Sequence, residues 1–156
     1  MATETRLPLA RLCQPGGLPG GRELLPGLKA SDWLARVAAW RDTLAAAPAG
    51  DVALFHEDAG EFSAALFGAW QAGRTPWLPG DVLPATLERL AAQTRLCLGE
   101  LPDALAPGKP GEPGSLTALD AAACRLVLFT SGSTGEPSAI SKTLDQLEDV
   151  CRRLQT

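Results

Sequence analysis

Apolar and polar positions along this chain change period several times, and each change marks an element. Ser31-Asp32 opens a predicted helix, with either residue as N-cap. Trp33, Leu34, Val37, Trp40 and Leu44 then recur at helical spacing until Pro48 and Gly50. Val52-Ala53-Leu54-Phe55-His56 is a short continuous apolar run and predicts a strand. Phe62, Ala65, Leu66, Ala69 and Trp70 predict a second helix that stops at Gly73. Thr75-Pro76-Trp77-Leu78 predicts a second strand. Pro76 has no N–H to donate, so it belongs near an edge or a strand start. Pro79-Gly80-Asp81 turns the chain. Leu83, Leu87, Leu90 and Ala91 predict a third helix, and Leu96-Cys97-Leu98 a third strand. Residues 99–115 hold four prolines and four glycines and read as a loop, followed by a brief helical turn within 116–124. Leu126-Val127-Leu128-Phe129 is wholly apolar, as a strand buried on both faces is. Beyond Pro137, Ala139-Ile140 pairs back as a β-hairpin arm. Leu144, Leu147, Val150, Cys151 and Leu154 predict an amphipathic helix, with Ser141 as candidate cap.

Strands alternating with helices imply right-handed crossovers and a mainly parallel sheet flanked by helices, hence an α/β fold. Residues 1–30 break this pattern. Pro15-Gly16-Gly17, Pro19-Gly20-Gly21 and Pro26-Gly27 predict an irregular amino-terminal arm across the body, with Leu7, Leu9 and Leu12 in a short packed turn. The organisation expected is an arm over 1–30 and an α/β unit over 31–156.

The chain has 156 residues, 46% hydrophobic and 21% charged, with a formal net charge of −4. That is enough chain for one packed core. No clustered basic face marks a nucleic-acid partner. No run of about 18 apolar residues predicts a membrane span. Cys13, Cys97, Cys124 and Cys151 form no C-x-x-C pair. Cys97 and Cys124 sit among apolar residues and read as reduced core cysteines, which fits a cytoplasmic protein. His56 beside Glu57 and Asp58 reads as a solvated turn and helix cap in preference to a metal or acid/base cluster.

The stretch after Phe129 carries the chemistry. Thr130, Ser131, Ser133 and Thr134 supply hydroxyls, Gly132 and Gly135 supply backbone freedom, and Pro137 closes the segment. Glycine without a Cβ lets backbone N–H groups converge on one point, a concavity suited to an anion. A strand delivering such a loop to the end of a sheet places it where phosphate-type ligands bind. The spacing is not that of a Walker A loop, nor of a G-x-S-x-G nucleophile elbow. A serine hydrolase is a poor reading, because the only histidine, His56, has no triad signature around it. The plain alternative is a solvated Ser/Gly turn.

Phe129-Thr130-Ser131-Gly132-Ser133-Thr134-Gly135-Glu136-Pro137 closely resembles the phosphate-loop signature of the AMP-forming adenylating enzymes, among them acyl- and aryl-CoA synthetases and peptide-synthetase adenylation domains. Glu61-Phe62, Ala69-Trp70-Gln71-Ala72-Gly73 and Leu78-Pro79 are similar to the family's first βαβ unit. Leu7-Pro8-Leu9-Ala10 and Leu78-Pro79-Gly80 are similar to synthetases of aryl-polyene pigment clusters. The resemblance implies a ligase whose Thr130, Ser131, Gly132, Ser133, Thr134 and Gly135 hold the phosphates of Mg2+-bound ATP. A carboxylic acid becomes an acyl-adenylate and passes to CoA or a carrier-protein thiol. It implies no catalytic residue and no protein metal ligand within this chain.

One position departs: the family's Pro-Lys is Pro137-Ser138 here. Lys142, four residues on, either substitutes by folding back or is a solvated lysine at a helix start. Segments matching the family's adenine-binding, ribose-binding and carboxyl-terminal parts are not found after the loop. The chain therefore reads as a truncated amino-terminal fragment, expected to be inactive alone and to self-associate through exposed surfaces. The alternative is a non-catalytic interaction module that keeps the lobe without binding nucleotide.

Overall fold

Residues 7–29 of the amino-terminal arm hold more regular structure than their proline and glycine content predicts. A computed structural model describes residues 7–131 and 137–154, with only the backbone described at Ser131 and Pro137. A 3-10 turn at Leu9–Arg11 packs Leu9, Ala10 and Leu12 against the main core. Strands β1 (Glu23–Leu25) and β2 (Leu28–Lys29) then form a small antiparallel hairpin. Its turn is Pro26-Gly27, with Gly27 at φ +81°, the proline-then-positive-φ order of a type II turn.

The hairpin also explains where the first helix begins. Helix α1 spans Ala30–Ala45, and its N-cap is Lys29, which makes no side-chain cap bond. Ser31 and Asp32 are therefore not the cap. The Ala30 and Ser31 amides donate to Arg22 O at 2.7 Å and Gly20 O at 2.9 Å. The arm's backbone satisfies donors that a capping side chain otherwise would.

Strand β3 (Val52–Phe55) leads into helix α2 (Ala59–Gln71). Strand β4 (Pro76–Pro79) leads into helix α3 (Pro84–Ala91), and β5 (Leu96–Gly99) follows. Strand β6 (Arg125–Ser131), strand β7 (Pro137–Thr143) and helix α4 (Leu144–Leu154) complete the fold. The main sheet runs β5-β3-β4-β6-β7, parallel throughout except for β7 against β6. Pro76 is the first residue of β4, as its missing N–H requires.

Alternate residues of the strands feed two cores. Val52, Leu54, Leu98 and Leu126 pack with Val37, Trp40, Leu44, Phe67 and Trp70 of α1 and α2. Ala53 and Phe129 pack on the opposite face with Leu90 of α3 and Leu101. Phe67 meets Trp33 and Trp70 edge-on, with ring centroids 5.3 and 5.2 Å apart. Trp70 Nε1 donates to Arg125 O at 2.9 Å and ties α2 to β6.

Two expectations change and a third is sharpened. Leu126, Val127 and Phe129 are buried, but Leu128 is 37% exposed, beside its cross-strand partner Ile140 at 45%. The helical layer on that face stops short of the hairpin's outer half. Residues 116–124 contain a turn on Asp120, whose Oδ1 accepts from Ala122 N at 3.0 Å and whose carbonyl accepts from Cys124 N at 2.9 Å. It is an Asx turn closed by an i→i+4 bond, the brief helical turn expected here, not continued into a helix. Ser141 lies within β7, so it is not a helix cap. Thr143 takes that role: Gln146 N donates to Thr143 Oγ1 at 3.3 Å, and Thr143 N donates to Gln146 Oε1 at 2.8 Å. This is a capping box, spelled Thr-x-x-Gln in the sequence.

Candidate functional site

The site lies where the parallel strands end. The carboxyl ends of β3, β4, β5 and β6 bring His56, Gly80, Glu100 and Thr130 to one edge of the sheet. The connections after β3 and β4 leave for opposite faces, α2 on one and α3 on the other. Such divergence opens a crevice at the strand ends, where ligands of open α/β sheets bind. Strand β6 lies beside β4, and Gly80 N donates to Phe129 O at 3.0 Å. A Cβ built on Gly80 would stand 3.9 Å from Thr130 Cγ2, so the turn after β4 packs against the end of β6.

From this edge the β6–β7 hairpin projects. Its strands pair continuously from Arg125↔Thr143 to Ser131↔Pro137. The connecting residues include Gly132, Ser133, Thr134 and Gly135, which lie outside the described residues. Thr130 is exposed and pairs directly with Ser138, also exposed. Opposed side chains in such a pair have Cβ atoms about 5 Å apart. The residue standing where the resembled family has lysine is thus a second hydroxyl at the hairpin's outer end. Lys142 pairs with Leu126, four register positions from the Thr130–Ser138 pair. At strand rise that is about 13 Å toward the hairpin base.

Two neighbouring acids, Asp58 and Glu100, accept from backbone amides. Asp58 caps α2 by accepting from Glu61 N at 2.9 Å. Glu100 Oε2 accepts from Glu57 N at 3.1 Å, and His56 Nδ1 accepts from Asp58 N at 3.1 Å. The cap expected near His56 is therefore Asp58. Among the described residues no group of three or more His, Cys, Asp or Glu side chains is placed to hold a metal ion.

All four cysteines are free thiols. Cys97 and Cys124, expected in the core, are half-buried; the deeply buried one is Cys13, 2% exposed under the arm. Burial pushes the Cys13 thiol up to about 12. Burial, then the nearby Asp103 and Asp120 carboxylates, raise Cys97 and Cys124. A thiol held protonated is a poor nucleophile.

No family model matches the chain, and no curated protein does. Among solved structures it is similar to the nonribosomal peptide synthetase FmoA3 in an AMPPNP-bound form. The identity is 21% over 81% of this chain and 16% of that one, with TM-score 0.53. A second FmoA3 structure matches at 20% identity over 83% and 16%, with TM-score 0.56. The Klebsiella oxytoca NpsA N-terminal subdomain, in complex with 3-hydroxybenzoyl-AMSN, matches at 17% identity over 75% and 35%, with TM-score 0.51. This chain therefore spans 16% to 35% of the length of those structures. At these identities the likeness is one of fold: a mainly parallel, helix-flanked sheet matching the N-terminal domain of adenylating enzymes. No helix among the described residues is long and apolar enough to cross a membrane.

Proposed function

We propose that this chain is the phosphate-holding amino-terminal part of an AMP-forming acyl- or aryl-CoA synthetase. One observation carries the reading: the stretch that resembles a phosphate loop joins two strands of a hairpin at the carboxyl edge of a parallel sheet. The fold likeness to adenylating enzymes supports it. In this reading Thr130, Ser131, Gly132, Ser133, Thr134 and Gly135 hold the triphosphate of ATP through hydroxyls and backbone N–H groups. The exposed hydroxyls of Thr130 and Ser138 fit an anion at that end, and Asp58 and Glu100 on the same sheet edge are bonded to amides. Bound ATP supplies the phosphorus that a carboxylate attacks, and Mg2+ arrives with the phosphates. The residues named here hold and orient charge. Residues 1–30 serve as an arm and 31–156 as the partial α/β unit. The carboxylic acid, the CoA or carrier-protein thiol and the cytoplasmic setting belong to the longer parent. The pigment-cluster reading rests on Leu7–Ala10 and Leu78–Gly80 alone.

The test is calorimetric titration of this chain, and of a longer parent, with Mg·ATP. In the parent, Thr134→Val should slow acid-dependent pyrophosphate release on the order of 100-fold, the scale of losing one donor to developing charge. Unchanged release rejects the role. A second reading, a non-catalytic interaction module, is favoured by Ser138 standing where the family has lysine. Absence of nucleotide binding by both proteins would select it.

A further inference from the structure

The sheet has two outer strands, and they are finished differently. On the β5 side, Leu105 N donates to Cys97 O at 2.8 Å, and Leu105 forms a parallel bridge with Leu98. That segment blocks the edge at Cys97 and Leu98. On the other side β7 ends the sheet, bonded to β6 alone. Ser138, Ala139, Ile140 and Ser141 are exposed one after another, so no helix or loop among the described residues lies over this part of the strand. A row of unpaired backbone N–H and C=O groups is a template for one occupant only, another extended strand.

We infer that two copies of this chain pair through β7, antiparallel and centred on Ile140, to give one continuous sheet with five strands from each copy. Three features select a second copy. The strand is self-complementary about its centre: Ile140 falls opposite Ile140 of the partner subunit, Ala139 opposite the partner's Ser141, and Ser138 opposite the partner's Lys142. No like charges are opposed. Leu128, 37% exposed beside Ile140, extends the apolar contact on the same face. With Leu105 bridged to Leu98 on the β5 side, β7 is the open edge of the main sheet among the described residues, so the pairing consumes it and closes as a twofold dimer instead of growing into a fibre. The pairing runs through the backbone edge of residues 138–142 and needs no bound nucleotide, so a solution mass tests it separately from the nucleotide reading.

The test is the solution mass of this chain by size exclusion with light scattering over a wide concentration range. The expected result is a concentration-dependent mass rising to twice the monomer. Ile140→Lys, at an exposed position, should weaken the dimer more than about tenfold while leaving thermal unfolding of the monomer intact. Register is read by mild oxidation of Ile140→Cys, whose opposed Cα atoms would lie about 5 Å apart, within disulfide reach. Ser138→Cys would stand about 13 Å from its own copy and should not cross-link above the unmutated chain. A monomer at every concentration, a dimer indifferent to Ile140→Lys, or cross-linking through Ser138→Cys but not Ile140→Cys would each overturn the proposal.

Discussion

Arg74 ends helix α1 from outside it. Nη2 donates to Leu44 O at 2.6 Å and Ala47 O at 3.0 Å, and Nη1 donates to Pro48 O and Gly50 O at 2.8 Å each. A planar cationic fork gathers Leu44 O at the helix end and three carbonyls of the turn that follows it. Arg74→Met should cost about 1.5–3 kcal/mol, the range for hydrogen bonds to a charged group, read by urea unfolding. Arg74→Lys should recover only part, because one ammonium cannot span the four carbonyls. Nothing in the sequence around Arg74 announces this: its partners lie 24 to 30 residues earlier. Cys13 is similar, a polar-looking position in a glycine-rich arm that turns out to be core. Its folded thiol titrates near 12 against an ordinary 9.0. Because the folded value is raised, its contribution is fully present below pH 9 and lost as pH rises toward 12, where the unfolded chain has released a proton that the folded one keeps. Stability should fall by about 1.4 kcal/mol per pH unit in that window. Comparing unmutated chain with Cys13→Ala by denaturant titration at each pH isolates the slope, which the variant should lack.

At the scale of elements, α1 and α2 approach closely through Gly68. A Cβ there would strike Trp40 Cβ and lie 3.0 Å from Val37 O. Gly68→Ala raises helix propensity yet should destabilise the protein by about 1–3 kcal/mol through overpacking, visible as a lower melting temperature. If the variant is as stable as the parent chain, the helices can separate without loss. The helices and strands themselves were legible, because their apolar periods differ and Pro or Gly punctuates them. Boundaries were less so. The start of α1 depends on amide acceptors at Gly20 and Arg22, contacts that residue types near Ser31 do not encode. The α4 cap was legible in Thr143-x-x-Gln146, but a strand predicted too short at Ala139-Ile140 drew attention to Ser141 instead.

At the scale of the molecule, the hairpin separates two groups that the sequence brings close. Lys142 follows the phosphate-loop stretch directly, yet antiparallel pairing carries it about 13 Å from the Thr130–Ser138 pair. That exceeds the Debye length of about 8 Å at physiological salt. Lys142→Ala should therefore change Mg·ATP affinity less than about twofold by calorimetry, and a larger loss would draw Lys142 into the site. By itself the sequence determined the element types, the mainly parallel α/β class and the loop's donor-rich character, since these depend on local periodicity, glycine and hydroxyl placement. Only the tertiary structure decided which strand forms the open edge, which face of β6 stays uncovered, which cysteine is buried and where Lys142 stands. Those follow from strand order and register, which join residues far apart in the chain and leave no mark on their neighbours in sequence.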